Sequence, residues 1–281
     1  MTFFDNFSAP HLIAAHRGTR AYYPENTLLA FTKSIDRCHF IELDVQLSKD
    51  CAMVVIHDST LIRTTDAILK KSALGMHSLN VSDWTLSQLK SLDAGSWFYH
   101  TDPFGTASSK IRSTEKKSSP IVLSIPTLQE VLLEPTLRQV PINIEIKDHK
   151  HSSRKNPIVS TAIDIIGQTG SVDRVLLSSF NHDYLIRAKQ LMPQLSTAAL
   201  QSRFNPPNIK EYLLFLGVAA YHPEDSIVTP DLISELQRAG IRVNVFTVNS
   251  PKRQKQLFEL GATAVITDYP ELPGRQPATP G

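Results

Sequence analysis

Eight short runs rich in apolar and β-branched residues punctuate the chain, at 11–15, 40–47, 142–146, 174–178, 195–200, 217–221, 242–248 and 263–267. Each has the length and composition of a strand. Between most of them lie longer segments of helical periodicity, the clearest being 25–36, 156–167, 182–191, 230–239 and 251–260. Thr229-Pro230 and Ser250-Pro251 supply a capping hydroxyl followed by proline at the first helical position, and Gly240 and Gly261 mark where those two helices end. Strand–helix alternation calls for a parallel sheet, and eight repeats predict an α/β fold of the (β/α)8 TIM-barrel type. A doubly wound open sheet is the competing architecture, but no GxGxxG follows any strand.

One further run, 53–56, breaks the alternation. Only residues 48–52 separate it from the preceding strand, far too few for a parallel crossover. It must return antiparallel, as a hairpin reaching beyond the top of the barrel and bringing His57 back to the level of Asp44. The stretch 63–125, with Trp84, Trp97 and Phe98 beside a Ser-, Thr- and Lys-rich segment at 101–119, reads as an inserted cap on the catalytic side of one barrel domain spanning 1–281. The Pro/Gly-rich tail at 270–281 is expected to fray. There is no internal repeat beyond the strand–helix pattern.

Composition narrows the class without naming a function. At 281 residues a single sizeable core is possible, and 41% hydrophobic with 20% charged residues excludes collagen-like, disordered and membrane-spanning chains. The balance of 29 Lys+Arg against 27 Asp+Glu offers nothing to a nucleic-acid partner. The longest apolar run, 212–221, is about half the ~20 residues that cross a bilayer, so no transmembrane segment is expected. Residues 1–11 lack a basic stretch followed by a long apolar one, so the reading is a cytoplasmic protein without a secretory signal. Two cysteines, Cys38 and Cys51, form neither a CxxC motif nor a disulfide framework. No residue pattern specifies an oligomeric state.

Barrel chemistry gathers at the C-terminal ends of the strands, so the polar residues there are the candidates. The first strand runs into His16-Arg17-Gly18. Glu42 and Asp44 sit two apart on the second strand and share one face, as do Glu145 and Lys147 on the strand 142–146. The hairpin return ends in His57-Asp58. Unpaired charge is expensive to bury, so ionisable pairs on two strands at matching ends point to a site. Glu42, Asp44 and Glu145 form an all-oxygen donor set suited to one Mg²⁺ or Ca²⁺ rather than zinc. Arg17 and Lys147 suit an anionic substrate, phosphate above all. The competing reading salt-bridges the three carboxylates to Arg17 and Lys147 without metal. His16 and His57, with unperturbed pKa values near neutrality, are placed as general acid and base. Asp58 either orients His57 or ends its strand, Glu25 and Asn26 either cap a helix or touch ligand, and Arg63 braces a loop. Trp97, Phe98 and Phe246 line either core or pocket. His100, His149, His151, His182 and His222 lack comparable surroundings.

The ordered set His16-Arg17-Gly18, Pro24-Glu25-Asn26-Thr27, Glu42-x-Asp44, His57-Asp58, Leu61-Ile62-Arg63-Thr64-Thr65, Ala94-Gly95-Ser96-Trp97-Phe98, Pro126-Thr127-Leu128-Gln129-Glu130, Asn143-x-Glu145-x-Lys147 and Ile266-Thr267-Asp268-Tyr269-Pro270 resembles the glycerophosphodiester phosphodiesterase family over residues 11–270. The resemblance implies a (β/α)8 barrel that hydrolyses small-molecule glycerophosphodiesters to an alcohol and sn-glycerol 3-phosphate with a divalent cation. It implies catalytic roles for His16 and His57, metal ligation by Glu42, Asp44 and Glu145, and phosphate binding by Arg17 and Lys147. The chain departs from the family pattern at Ala21, at Phe246 and in the length of 101–119, which bears on the alcohol moiety rather than on the reaction. A lysophospholipase D or phospholipase-like lipid phosphodiesterase, and a non-catalytic phosphate-binding barrel, are the alternative functions on the same scaffold.

Overall fold

The strand Ile142–Ile146 is buried along its whole length, its isoleucines and its polar Asn143 and Glu145 alike, as a parallel strand between two layers must be. A computed structural model describes residues 2–106, 122–148 and 157–272. Eight strands run parallel: β1 (Leu12–Ala15), β2 (Phe40–Leu47), β4 (Ile142–Ile146), β5 (Val175–Ser179), β6 (Ser196–Gln201), β7 (Ala220–Pro223), β8 (Arg242–Val245) and β9 (Ala264–Thr267). The order β1-β9-β8-β7-β6-β5-β4-β2 closes on itself through a β1–β2 pairing, giving a closed parallel barrel. The additional strand β3 (Met53–Val55) hangs antiparallel on the end of β2, with Val45 opposite Val55.

Ten α-helices accompany them: α1 (Leu28–Thr32), α2 (Ala67–Lys70), α3 (Leu86–Lys90), α4 (Ser96–Thr101), α5 (Leu128–Leu133), α6 (Ile158–Gln168), α7 (His182–Leu191), α8 (Ile209–Leu216), α9 (Pro230–Arg238) and α10 (Pro251–Glu259), among the described residues. Thr229 and Ser250 cap α9 and α10 by accepting from Leu232 N and Arg253 N, each with proline in the first turn.

Side-chain parity divides the strands. Outward residues such as Ile41, Leu43, Val45 and Ile144 pack under α5 and α6, while Tyr221, Val243 and Val265 pack under α8 to α10. Inward residues Leu12, Ala14, Phe40, Leu176, Ala198, Ala220, Ala264 and Ile266 fill the lower barrel, where the 3-10 turn Phe3–Asn6 plugs the bottom with Phe3 and Phe4. That dry lower layer leaves the upper inward positions to polar groups.

Several boundaries differ from the sequence reading. Residues 25–27 lie outside the first helix, because Thr27 is its N-cap and accepts from Ala30 N. The apolar run 212–221 is the second half of α8 plus a linker into β7. Gly217, at φ +63, ends that helix in the left-handed region, so the strand starts at Ala220 rather than at 217. Continuous apolarity had hidden α8, which the sequence reading does not place. The strand read at 242–248 stops at Val245.

Within 63–125, the described residues Val81, Leu89, Leu92 and Ile125 pack around the fully buried Trp84, in a cluster that they share with Val54, Ile56 and Leu61 of the hairpin and the turn after it. Most of the Ser/Lys-rich segment 101–119 lies outside the described residues, as do His149, His151 and the tail beyond 272.

Candidate active site

All seven candidate residues come from strand ends or from segments that follow them, and the barrel brings them to one rim. The parallel register sets Asp44 beside Glu145 and Glu42 beside Asn143. Glu42, Asp44 and Glu145 are all buried, and one carboxylate oxygen from each falls within 4.8 Å of the others. Lys147 reaches back over them, its Nζ 2.8 Å from Asp44 Oδ1 and 2.5 Å from Glu145 Oε1. Arg17 Nε lies 3.4 Å from Asp44 Oδ2.

The first strand delivers Arg17 through a tight turn. Arg17 and Gly18 both adopt positive φ, and Arg17 N donates to Glu42 Oε2 at 2.8 Å. A Cβ on Gly18 would come within 2.9 Å of Ala30 C and Cβ at φ +79, so only glycine fits. Gly18→Ala is expected to lose more than about 1 kcal/mol of stability, since the backbone can neither adopt nor vacate that conformation cheaply. Thermal unfolding checks this; an unchanged Tm would contradict the steric account.

The hairpin delivers His57. Ile56 N donates to Asp44 O at 3.0 Å, and Gln46 Nε2 donates to the carbonyls of Ile56, His57 and Asp58 at 3.0, 2.8 and 2.8 Å. A buried amide thus pins the backbone that carries the imidazole, at the level of Asp44. Each imidazole is backed by a carboxylate: His57 Nδ1 lies 2.7 Å from Asp58 Oδ1, and His16 Nδ1 lies 2.6 Å from Asp268 Oδ1. Asp268 is itself fixed by Asn249, whose Nδ2 donates to Oδ2 at 2.8 Å.

Electrostatics within the cluster is uneven. Burial, then the neighbouring Asp44 and Glu145, hold the Glu42 carboxyl well above the usual range. Burial likewise raises Glu145, with Lys147 opposing and Asp44 adding to the rise. Asp44 is driven the other way: against burial, Lys147, Arg17 and His57 keep it far below the ordinary value. Lys147 and Arg17 are both raised, the carboxylates outweighing desolvation. Burial lowers His16, with Asp268 opposing and Arg17 reinforcing. Two of three crowded carboxylates therefore remain under-compensated by the protein's own cations. Together with an all-oxygen donor set, that is the environment a hard divalent cation fits.

The structure also adds residues that the strand-end criterion did not select as site residues. Glu25 is buried and takes Arg17, Arg20 and Arg63; against burial, those arginines, Arg63 first, lower it to about 2. Asn26, at φ +56, donates to Asp44 Oδ2 at 2.8 Å and accepts from Asp44 N at 3.3 Å, so it buttresses a cluster carboxylate rather than capping α1. Arg63 grips Glu25 and Asp58 together, firmer than a loop brace. The structure decides for Asp58 the first of its two readings, orienting His57, whereas Asp268 stood in the motifs without a partner and only the folded chain shows that it meets His16. His182 bonds Tyr212 and the Leu200 carbonyl, and His222, buried in the barrel, accepts from Asn244; neither joins the cluster.

A family model for the glycerophosphoryl diester phosphodiesterase family matches residues 16–272. The chain is 35% identical over 264 residues to a glycerophosphodiester phosphodiesterase of Bacillus altitudinis, covering 92% of this chain and 95% of that one. It is 32% identical over 263 residues to one from Caldanaerobacter subterraneus, with the same coverage. Among solved structures, an Oleispira antarctica phosphodiesterase in complex with its product sn-glycerol-3-phosphate superposes with a TM-score of 0.76 at 27% identity, over 96% of each chain. Fold and relatives together define a barrel enzyme of the phosphodiesterase class. The chain belongs to the glycerophosphoryl diester phosphodiesterase family.

Proposed function

We propose that this protein hydrolyses glycerophosphodiesters to an alcohol and sn-glycerol 3-phosphate, using one divalent cation, Mg²⁺ or Ca²⁺, and two histidines. The observation that carries this reading is the convergence of three buried carboxylates, within 4.8 Å of one another, with two carboxylate-backed imidazoles at one barrel rim. The product named for the Oleispira antarctica enzyme supports the substrate class.

Glu42, Asp44 and Glu145 would hold the cation. When bound, the cation supplies neutralisation of the phosphodiester's non-bridging oxygens, which otherwise repel a nucleophile. Arg17 and Lys147 would serve the phosphate from beside those carboxylates. Asp268 and Asp58 occupy Nδ1 of His16 and His57, which fixes the tautomer and leaves each Nε2 as the proton-transfer atom. One imidazole takes the proton of the nucleophile, either water or the neighbouring glycerol hydroxyl; in the second case a cyclic phosphate forms, which water then opens to glycerol 3-phosphate. The other delivers a proton to the departing alkoxide.

We read residues 63–125 as a cap over this mouth, on a single-domain cytoplasmic enzyme. One contact across to the barrel supports the cap: Arg20 lies over the Phe104 ring, at 5.2 Å to the centroid. No helix among the described residues is long and apolar enough to cross a membrane.

A panel of phosphodiesters assayed after dialysis against EDTA, with single-metal add-back, tests the reading. Turnover of glycerophosphocholine or a similar small diester should vanish in EDTA and return with Mg²⁺ or Ca²⁺. Full activity in EDTA removes the metal. Turnover confined to long-chain lysophospholipids replaces the substrate class, and binding without turnover at any metal makes the barrel a binding protein.

A further inference from the structure

Glu25 occupies the middle of a chain of charged groups that leads to both imidazoles. Its side chain is 2% exposed; Oε1 accepts from Arg17 and Arg63, and Oε2 accepts from Arg63 and forms an ion pair with Arg20. Oε1 lies 2.8 Å from Arg17 Nη1 and 2.8 Å from Arg63 Nη2; Oε2 lies 2.8 Å from Arg63 Nη1 and 3.1 Å from Arg20 Nη2. A carboxylate offers about four acceptor positions, and three hydrogen bonds plus the Arg20 ion pair leave this one little capacity for a cation or a substrate hydroxyl. Helix capping is also ruled out as its task, since Thr27 caps α1.

Each outer arginine reaches a carboxylate that holds a histidine. Arg63 closes a two-pronged pair on Asp58, Nε to Oδ2 at 2.7 Å and Nη2 to Oδ1 at 2.9 Å, and Asp58 holds His57 Nδ1. Arg20 Nη1 lies 3.4 Å from Asp268 Oδ1, and Asp268 holds His16 Nδ1. A continuous path therefore runs His57–Asp58–Arg63–Glu25–Arg20–Asp268–His16. Two guanidinium groups and three carboxylates alternate along it, so removing the middle anion leaves like charges facing one another across a buried gap.

We propose that Glu25 is a positioning residue that couples the orientations of His16 and His57 through Arg20 and Arg63. The inference rests on the proton-transfer reading of the two histidines but makes a claim that holds or fails separately. The two limbs are unequal. Asp58 depends on Arg63 for both oxygens, whereas Asp268 has Asn249 as a second anchor. Loss of Glu25 should therefore disturb His57 more than His16.

The test is histidine-ring ¹⁵N NMR of the full chain, at a pH where both rings are neutral, alongside steady-state kinetics on glycerophosphocholine with the supporting cation. Asp44 and Glu145 face His57 and Arg17 faces His16 in every variant, so those influences stay constant. Glu25→Gln puts an amide donor against guanidinium donors. It should shift the His57 ring signals away from the Nδ1-protonated tautomer and shift those of His16 less. It should also lower kcat by about 10–100-fold, with KM within about threefold of wild type. Arg63→Met should move the His57 signals most and those of His16 less, and Arg20→Met the reverse. Unmoved signals for both rings in Glu25→Gln overturn the proposal even if activity falls. If Glu25→Gln does not fold, the arginine variants decide, and either one leaving its own imidazole unmoved overturns it. Shifted rings with normal kcat would uphold the coupling and instead remove the histidines from the chemistry.

Discussion

His57→Ala should lower kcat by about 10²–10⁴-fold, the usual contribution of a positioned general acid or base, while the barrel still folds and keeps the carboxylate cluster proposed to hold a cation. The structure separates these effects. The His57 side chain is 31% exposed, and its backbone is pinned by Gln46 rather than by the ring, so truncation opens no buried hole. Asp58 keeps its two-pronged pair with Arg63 when the ring is gone. His16→Ala should show a comparable loss in kcat with a somewhat larger stability cost, because that ring is more deeply buried, at 13% exposed. Asp268 would still be held by Asn249 and Arg20. The double variant should be little slower than the slower single one, since two groups that serve one proton relay do not contribute additively. The measurement is kcat on a substrate from the diester panel, with circular dichroism as the check on folding. Near-normal turnover in either single variant would sink the acid–base assignment.

Glu42→Gln should nearly abolish metal-dependent activity and, at the same time, stabilise the metal-free protein. The sign follows from the surroundings. Burial beside Asp44 and Glu145 makes the ionised Glu42 carboxylate costly, while its hydrogen bond from Arg17 N needs only an oxygen, which glutamine keeps. In EDTA the variant should therefore melt above wild type. With cation at about 100 times its Kd, wild type gains ~2.7 kcal/mol from binding, and the variant, lacking one anionic ligand, gains far less. The order of melting temperatures should thus cross on adding Mg²⁺ or Ca²⁺. A variant that melts below wild type in both conditions would mean that the Glu42 carboxylate is a structural ion pair rather than a metal ligand.

Much of the barrel was legible because strand and helix signals are local. Alternation along β2 puts Glu42 and Asp44 on the face shared with Phe40, and the same parity puts Glu145 beneath Lys147 on β4. The five-residue link before Met53 forced an antiparallel return. Where the reading slipped, a local signal was ambiguous: the apolar run at 212–221 belongs to a helix end and a strand approach, divided by Gly217. Glu25 and Asn26 looked like helix-start residues for the same reason. Their polar side chains suit a cap as well as a buried network, and only the left-handed φ of Asn26 and the three guanidinium groups around Glu25 decide between them.

By itself the sequence determined which residues carry charge at strand ends, which face of each strand they share, and that oxygen ligands, not thiolates or imidazoles, would meet any cation. Those are properties of neighbours along the chain. The tertiary structure alone decided register and pairing: Asp44 beside Glu145 across β2 and β4, Asp58 tied to Glu25 through Arg63, and Asp268 behind His16 across 252 positions. Barrel closure sets the last of these, because β9 must pair with β1 before the segment that follows it can reach the first strand's end. No periodicity in the chain encodes that meeting; the energetic cost of leaving a sheet edge and buried charges unpaired selects it.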